Sequence, residues 1–582
     1  MSALHANYAL AKEMPSRSGR TLSASALDRI LLCGSAGIGL AQAWISRYSM
    51  DADGISYLDM GNSFSQGDWR HAVNAYWSPL YGWLLGLTVR AIRPGPRWEF
   101  PVVHAVNFGI FLLALAAFQF LLRSLVAFAG YREIECATNL KRGSTMPEWA
   151  FVLLGYATFL WACLRVVTIY DVSPDMAVLA CVCLSAGILV RLRISPSPMR
   201  FGLFGFVLGV AYWVKAPMFP LGIAFLVLAI LWKAKSKQWR RGMGIACAVF
   251  LCGTAPLIAL LSLQKGRLTF GDSARLNYCW FVSPGTTFRN WHGQIAGSGS
   301  PVHPMAELLK SPPVYGFDGP VAGTYPLWAD PSYWNEGLRW RFQPIAQVKT
   351  LTGNLLSEAR LVLQGEPALL AGLVVLIWLA GTTWFSEARR LWPLLAICGA
   401  GFALYLPVHV EDRFLGGWML LFVVTVLATV RLNFAEQRAG KIVAAVICGL
   451  ILVGAADQTI RYATHHLAIP GVGPNSALDD VAAAEQMPTV GLNPGDKVAL
   501  IGIGKGVYAA HLARLRVVAE AMGYDHGYRD FTRLPQDDRR KLYSALRTSG
   551  AKAILTPCSE GIDKSWRRTG GAEYCVLRLD QD

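Results

Sequence analysis

Long apolar runs alternate with short polar segments along the chain as far as about residue 457. A helix needs roughly 20 apolar residues to cross the hydrocarbon core of a bilayer. Many of the runs approach that length, so the pattern predicts a mainly α-helical polytopic membrane protein with about eleven transmembrane helices. The predicted spans are residues 27–47, 101–127, 149–169, 174–192, 201–214, 217–232, 243–264, 366–384, 392–408, 414–430 and 442–457.

Beyond residue 472 the pattern changes to short apolar strands separated by helical segments. The stretches "DKVALIGIG", "RVVAEA", "AKAILTP" and "EYCVLRL" are typical of strands, and "DDRRKLYSALRTSG" is typical of a helix. These elements predict a small α/β domain at the C-terminus. The expected organisation is a tail at 1–26, a transmembrane domain at 27–457 with large loops at 48–100 and 265–365, a linker at 458–471 and the α/β domain at 472–582.

Composition agrees with a membrane protein. The 582 residues are 53% hydrophobic and 16% charged, whereas an ordinary soluble domain carries about 25% charged residues. The formal net charge of +16 could suggest nucleic acid. The Lys and Arg residues instead cluster in short connections between apolar runs, and no basic face interleaved with aromatic residues indicates a nucleic-acid groove. Nucleic acid is therefore not an expected partner.

The position of the basic connections predicts the orientation of the chain. Every second connection is rich in Lys and Arg, which the positive-inside rule assigns to the cytoplasm. The N-terminus is then cytoplasmic, and the C-terminal domain is periplasmic in a bacterial inner membrane. Cys558 and Cys575 lie on or beside neighbouring strands of that domain, where an oxidising compartment would permit a disulfide.

Charged residues gather at the predicted outer ends of the spans. Ionisable groups at membrane depth are costly, which makes them functional candidates. This set contains Asp51, Asp53, Asp171, Asp175, Lys215, Glu411, Asp412 and Arg413. Simpler interpretations exist for several of them. Asp51 would be a solvated loop residue, Asp175 would favour the first turn of a helix, and Lys215 and Arg413 would extend towards lipid headgroups.

Asp53 is harder to explain by such a structural role. After it, Tyr57, Met60 and Phe64 share one face of a helix, which predicts a short amphipathic helix in the membrane interface that ends near Gly67. Two aromatic segments, at 74–86 and 323–340, fit either carbohydrate stacking or an ordinary interfacial belt of Trp and Tyr.

The first outer loop resembles that of the GT-C class of membrane glycosyltransferases. The residues that carry this resemblance are Asp53-Gly-Ile-Ser-Tyr57, Gly67-Asp-Trp69 and Trp77-Ser-Pro-Leu-Tyr-Gly-Trp83-Leu84. They are similar to the branch of protein mannosyltransferases and of the transferase that adds aminoarabinose to lipid A. "PDMAVLA" from residue 174 and "VKAP" from residue 214 are similar to later motifs of the class, with Ala216 in place of a glycine. That branch carries a Lys before its Pro-Pro-Leu, where this chain has Ser78.

The resemblance implies that Asp53 is the catalytic base and that the donor is a sugar on a polyprenyl phosphate. A carboxylate can take the proton of an acceptor hydroxyl as it attacks the anomeric carbon. Lys215 and Arg413 would stabilise the departing phosphate, and Asp175 would orient the substrate or help to hold a divalent cation. The expected substrate-binding set is Asp175, Lys215, Arg413, Tyr57 and Asp171, with accessory residues Asp51, Glu411, Trp77 and Tyr81.

The expected partners are this donor, membrane lipids, and a glycan, lipid or protein acceptor. No cofactor is indicated by a ligand pattern, and a metal site remains unassigned, with Asp51-x-Asp53 as a weak candidate. A transporter or flippase for a lipid-linked sugar is the alternative, although such proteins usually place polar groups near the bilayer midplane. A receptor or scaffold whose C-terminal domain carries the function is a third interpretation.

Overall fold

The structure of the protein is a computed structural model, which describes most of the chain. The described residues are 24–135, 144–233, 236–283, 291–365, 367–432, 449, 477–502, 504, 506–521, 528–558, 562, 564–569 and 574–580. Nearly all of the predicted span at 442–457 and the whole predicted linker therefore lie outside the described residues.

Helices make up most of the first 430 residues. In chain order they are α1 (Ala24–Ile45), α2 (Ala52–Ser65), α3 (Pro79–Ile92), α4 (Pro96–Glu135), α5 (Glu148–Trp161), α6 (Asp175–Ile194), α7 (Pro198–Val214), α8 (Met218–Trp232), α9 (Lys237–Lys265), α10 (Ser273–Phe281), α11 (Pro326–Ala329), α12 (Pro331–Trp334), α13 (Pro344–Gly365), α14 (Pro367–Ala380), α15 (Thr382–Ala388), α16 (Trp392–Tyr405) and α17 (Asp412–Thr429). One π-helical turn, Ala162–Val166, extends α5.

Among the described residues, five helices are long and apolar enough to cross a membrane: α4, α5 with its π-helical turn, α6, α9 and α17. Helices α14 and α15 form a sixth candidate that is bent by 103°. The predicted runs at 201–214, 217–232 and 392–408 form the shorter apolar helices α7, α8 and α16. The protein is thus a helical multi-pass membrane protein, and the predicted fold class is confirmed.

Helices α2 and α3 form a tight pair through three glycines. A Cβ atom on Gly61 would lie 2.1 Å from the carbonyl oxygen of Gly82, and one on Gly86 would lie 2.0 Å from that of Gly61. Small residues spaced four apart allow helix backbones to approach in this way. The helix predicted after Asp51 is therefore present, but most of its residues are buried against protein. Packing against protein accounts for its apolar face, and its location in the membrane interface stays a prediction.

A mixed sheet of seven strands forms the core of the C-terminal region. The strands are β2 (Ala306–Lys310), β3 (Pro313–Gly316), β5 (Lys497–Ile501), β6 (Arg516–Ala521), β7 (Ala553–Pro557), β8 (Arg567–Thr569) and β9 (Tyr574–Arg578). Their order is β2-β3-β6-β5-β7-β9-β8, and β5 is parallel to both of its neighbours. The two short strands β1 (Ser144–Thr145) and β4 (Arg431–Leu432) pair separately.

The sheet is built from two distant parts of the sequence. Strands β2 and β3 come from the large loop at 265–365, and β3 pairs antiparallel with β6. The helices α18 (Leu478–Gln486), α19 (Tyr508–Leu512) and α20 (Gln536–Thr548) belong to the same region. Cys558, just after β7, forms a disulfide with Cys575 in β9. The loop and the C-terminal segment therefore fold together.

Candidate functional site

A cavity of about 630 Å³ lies where α2, α6, the break between α7 and α8, and the start of α17 meet. Its charged lining residues are Asp53, Asp175, Lys215, Glu411 and Arg413, with His409 beside them. Much of the remaining wall is apolar or aromatic. That part includes Tyr57, Tyr76, Trp77, Trp280, Phe281, Trp328, Leu404, Val408 and Phe414. One cavity therefore combines a cluster of both charge signs with an extended apolar wall.

The Asp53 carboxylate is held between two donors. Its Oδ1 accepts a hydrogen bond of 3.1 Å from Trp328 Nε1, and its Oδ2 lies 3.0 Å from Arg413 Nη2. Asp53 sits in the first turn of α2, whose N-terminal dipole end favours an anion. A carboxylate fixed at both oxygens has a defined direction in the cavity, as a general base requires.

Asp175 joins the two cationic residues. Its Oδ1 accepts a hydrogen bond from Lys215 Nζ, and its Oδ2 lies 3.8 Å from Arg413 Nε. That Oδ2 is buried and has no hydrogen-bond partner among the described residues. Lys215 also lies 3.9 Å from the centre of the Phe414 ring. The break between α7 and α8 thus points an ammonium group into the cavity rather than towards lipid headgroups.

Glu411 completes the charge cluster. Arg413 Nε donates to its Oε2 at 2.6 Å, and His409 Nε2 lies 3.2 Å from its Oε1. Burial opposes ionisation, but hydrogen bonding from His409 and the charge of Arg413 hold the pKa of Glu411 at about 2. Arg413 therefore contacts three carboxylates, from Asp53, Asp175 and Glu411, and organises this end of the cavity.

Three predicted site residues do not line the cavity. Asp51 caps α2: its Oδ1 accepts the N–H of Gly54 at 2.7 Å and its Oδ2 accepts the N–H of Val172 at 3.1 Å. Burial and the neighbouring charge of Asp53 raise its pKa to about 7. Asp171 accepts the Thr168 hydroxyl at 2.9 Å. Asp51 thus binds backbone N–H groups and Asp171 binds a threonine hydroxyl, and neither lines the cavity. The solvated-loop interpretation of Asp51 is wrong.

Tyr81 is the third of these residues. Its hydroxyl donates to Asn107 Oδ1 at 2.7 Å, and its ring packs edge-on against Tyr57, 5.1 Å between ring centres. Tyr57 itself lines the cavity, as does Trp77. Burial and the charge of Asp53 raise the pKa of Tyr57, so its phenol keeps the proton and can donate it in a hydrogen bond.

Sequence reasoning did not single out several residues of the site. Trp328 lies in the aromatic segment at 323–340, but nothing in the sequence indicates that its indole reaches Asp53. Asn277 accepts the Tyr76 hydroxyl at 3.0 Å and comes from α10, within a loop that has no recognisable motif. His409 precedes Glu411 by two residues and stacks on Phe281, 3.8 Å between ring centres. Its proximity to the acidic Glu411 was the available signal.

The residues do not fit a metal site. Among the described residues, no group of three or more His, Cys, Asp and Glu side chains is placed to hold a metal ion. Both oxygens of Asp51 accept backbone N–H groups, and those of Asp53 face Trp328 and Arg413. Protein donors thus occupy the carboxylate oxygens of the candidate Asp51-x-Asp53 pair.

Comparison with solved structures identifies the fold. The chain is similar to ArnT from Cupriavidus metallidurans in the apo state, with a TM-score of 0.52 and 11% identity over 94% of this chain and 97% of that one. It is also similar to the same protein bound to undecaprenyl phosphate, with a TM-score of 0.51 and 13% identity over 95% and 98%. No protein-family model and no curated protein matches the sequence.

The chain therefore has the GT-C fold, and the resemblance seen in the first outer loop is confirmed at the level of the fold. The likeness extends over almost the whole chain, including the C-terminal region. At 11–13% identity it establishes architecture, and function has to be argued from the site.

Proposed function

We propose that the protein is an inverting glycosyltransferase that moves a sugar from a polyprenyl-phosphate donor to a glycan, lipid or protein acceptor at the outer face of the bacterial inner membrane. The observation that carries the proposal is the position of the Asp53 carboxylate in one cavity with Lys215 and Arg413. A base and a phosphate-binding pair are the two parts that direct displacement at a glycosyl phosphate requires.

The proposed reaction is a single displacement. Asp53 takes the proton of the acceptor hydroxyl as its oxygen forms a bond to the anomeric carbon. The bond between that carbon and the phosphate oxygen breaks, and the electron pair leaves with the phosphate. Lys215 and Arg413 stabilise the negative charge that develops there. Attack opposite the leaving group inverts the anomeric centre.

The ion pair between Asp53 and Arg413 gives the donor a second role. The Arg413 guanidinium lies 3.0 Å from the Asp53 carboxylate and occupies one of its two oxygens. A lipid phosphate in the cavity competes with Asp53 for Arg413, because guanidinium binds phosphate well. Donor binding would then draw Arg413 away and release the carboxylate to act as a base only when the donor is present.

The apolar wall supports a lipid-linked donor over a nucleotide sugar. Phe281, Leu404, Val408 and Phe414 line the cavity beside the cations, where an isoprenoid chain next to the phosphate would make favourable contacts. The solved structure of ArnT with undecaprenyl phosphate supports this assignment by analogy of fold. The transporter alternative is not favoured, because the charged residues form one cluster at the ends of the predicted spans.

The decisive experiment uses purified protein with a panel of polyprenyl-phosphate sugars, and follows release of free polyprenyl phosphate by mass spectrometry. Asp53→Asn should abolish turnover while the melting temperature and the detergent elution profile stay at wild-type values. Asp537→Asn, at an acid that is 83% exposed on α20, is the matched control and should retain full activity. Wild-type turnover by Asp53→Asn would overturn the assignment of the base, and retention of the anomeric configuration in the product would overturn the single displacement.

A further inference from the structure

A buried ionic cluster links the C-terminal region to α2, the helix that carries Asp53. His511 in α19 is 3% exposed and lies between two acids. Its Nδ1 is 3.2 Å from Asp59 Oδ1 in α2, and its Nε2 is 2.8 Å from Glu99 Oε1 in α4. Arg514 also contacts the Glu99 carboxylate. Two buried carboxylates thus face the buried His511 ring and the partly exposed guanidinium of Arg514.

The geometry defines the protonation state of His511. Ionised carboxylates only accept hydrogen bonds, so a proton on each ring nitrogen satisfies Asp59 and Glu99 together. Although burial opposes the charge, these hydrogen bonds raise the pKa of His511 to about 9. The cluster is therefore an imidazolium and a guanidinium paired with two carboxylates. Removal of His511 takes the cationic partner from the buried Asp59, while Arg514 still pairs with Glu99.

The cluster reaches the cavity through Thr324. The Thr324 N–H donates to Asp59 Oδ2 at 2.7 Å, and its hydroxyl donates to Asp59 Oδ1 at 2.9 Å. That hydroxyl is also 3.0 Å from His511 Nδ1, and the Thr324 carbonyl accepts the N–H of Val517 in β6 at 3.0 Å. Thr324 is thus held by α2, by α19 and by the sheet.

Four residues after Thr324, the chain presents Trp328 to the base. The Trp328 indole donates to Asp53, and its carbonyl accepts the Ser56 hydroxyl at 2.8 Å and the Trp77 indole at 3.1 Å. The segment that leads to Trp328 begins close to α2. Gly323 has φ +139°, and a Cβ there would lie 3.0 Å from Asp59 Oδ2. Segment 323–328 therefore depends on two anchor points along α2, at Asp59 and at Asp53 with Ser56.

We propose that Asp59, Thr324 and His511 form a clasp through which the C-terminal region positions Trp328 against the catalytic base. The inference rests on the proposed function of Asp53. These three are positioning residues, because they act on the reaction through Trp328 and do not line the cavity. The C-terminal region then belongs to the catalytic unit.

A double-mutant cycle tests the clasp in the full-length protein. Trp328→Phe keeps an aromatic ring but removes the donor to Asp53, so kcat should fall about ten- to hundredfold, the value of one hydrogen bond to a charged group. His511→Gln should lower kcat at least fivefold with the donor KM within twofold of wild type. The double variant should be no slower than Trp328→Phe alone, because both changes act on the same contact.

Controls keep the test independent of folding. Thr324→Val removes the hydroxyl while the hydrogen bond from its N–H to Asp59 remains. This variant replaces His511→Gln in the test if His511→Gln does not fold. His303→Gln, at a partly exposed histidine 3.4 Å from Glu336, is the matched control and should leave kcat unchanged. The clasp is overturned if the effects of Trp328→Phe and His511→Gln on kcat multiply in the double variant. It is also overturned if His511→Gln and Thr324→Val both turn over at the wild-type rate. In either case, loss of turnover in Asp53→Asn would still support the proposed function.

Discussion

Arg413 offers the most demanding test of the charge cluster, because it contacts three carboxylates at once. Its Nη2 lies 3.0 Å from Asp53, and its Nε lies 2.6 Å from Glu411 and 3.8 Å from Asp175. At 4 Å and an effective dielectric constant of about 20, one such pair interacts by about 4 kcal/mol. The Glu411 side chain is 39% exposed, so water screens that pair and it contributes much less.

Replacement of Arg413 by glutamine should therefore affect both stability and turnover. Removal of one partner of a buried ion pair costs roughly 3–5 kcal/mol, which predicts a lower melting temperature of the detergent-solubilised protein. Loss of a preorganised donor at the leaving group costs about 10²- to 10³-fold in kcat. Arg413→Lys keeps the charge but lacks the planar fork that bridges several acceptors, so its kcat should lie between those of Arg413→Gln and the wild type.

Donor binding separates this role from a purely structural one. Direct binding of free polyprenyl phosphate, measured as its Kd, should weaken in Arg413→Gln, because the phosphate loses a cation. It should strengthen or stay constant in Asp53→Asn, where Arg413 no longer pairs with a carboxylate. Arg540→Gln removes an exposed Arg on α20 and is the control. If Arg413→Gln binds the phosphate as tightly as the wild type does, the reasoning about the cluster is wrong.

Three further predictions concern the frame around the site. Gly86→Val should lower the melting temperature and kcat together, because any Cβ there meets the backbone of Gly61 on the helix that carries the base. The folded-state pKa of His511 is about 9 against an unfolded value of 6.5, so its stabilising effect is complete below pH 6.5 and is lost as pH rises through 9. The gap in melting temperature between wild type and His511→Gln should therefore narrow from pH 6 to pH 9.5. Cys558→Ser opens the disulfide to Cys575, whose 17-residue separation suggests a loss of about 3 kcal/mol in the C-terminal region.

Each of these predictions has a matched comparison. A Cβ added to Gly95 would meet no atom within 4 Å, so Gly95→Ala should melt like the wild type while Gly86→Ala does not. A melting gap for His511→Gln that is independent of pH would contradict the imidazolium. Reducing agent should lower the melting temperature of the wild type and leave Cys558→Ser unaffected, and equal sensitivity of the two would exclude a stabilising disulfide.

The parts of the fold that follow from local pattern were predictable. Apolar runs located α1, α2, α4 to α9 and α14 to α17, and alternating patterns located β5, β6, β7 and β9. Helices α3 and α10 to α13 lie in the stretches 48–100 and 265–365, which were predicted to be loops. The pairing of β3 with β6 was not predictable, because it joins segments about 200 residues apart and β3 carries no strong strand signal. Helix α2 illustrates another limit. Its apolar stripe fits either a membrane interface or a protein neighbour, and the close packing on Gly82 and Gly86 cannot be read from the local sequence.

The candidate site also contains residues that the sequence indicates and residues that it does not. Charge at predicted span ends indicated Asp53, Asp175, Lys215 and Arg413, and all four line one cavity. Trp328 was beyond sequence reasoning, since an aromatic residue in a long loop is compatible with many neighbours. His511 was also missed, because a lone histidine near a helical segment has no partner within the local sequence. Its two acids come from α2 and α4, more than 400 positions earlier in the chain.

Three acids lie on or beside α2, and the neighbours of each determine whether its carboxylate faces the cavity. Asp51 lies before the first turn, where two backbone N–H groups take its oxygens and leave it no route to the cavity. Asp53 is two residues further on and faces the cavity between an indole and a guanidinium. Asp59, six residues beyond Asp53, faces the C-terminal region, where His511 neutralises it. Thr324 is hydrogen-bonded to Asp59, and Trp328, four residues later, is hydrogen-bonded to Asp53. Under the proposed clasp, a displacement of the C-terminal region at Asp59 would therefore change the contact between Trp328 and Asp53. The proposed base has to lie within a fraction of an ångström of a hydroxyl. Its placement would then depend on a C-terminal region whose described residues do not line the cavity.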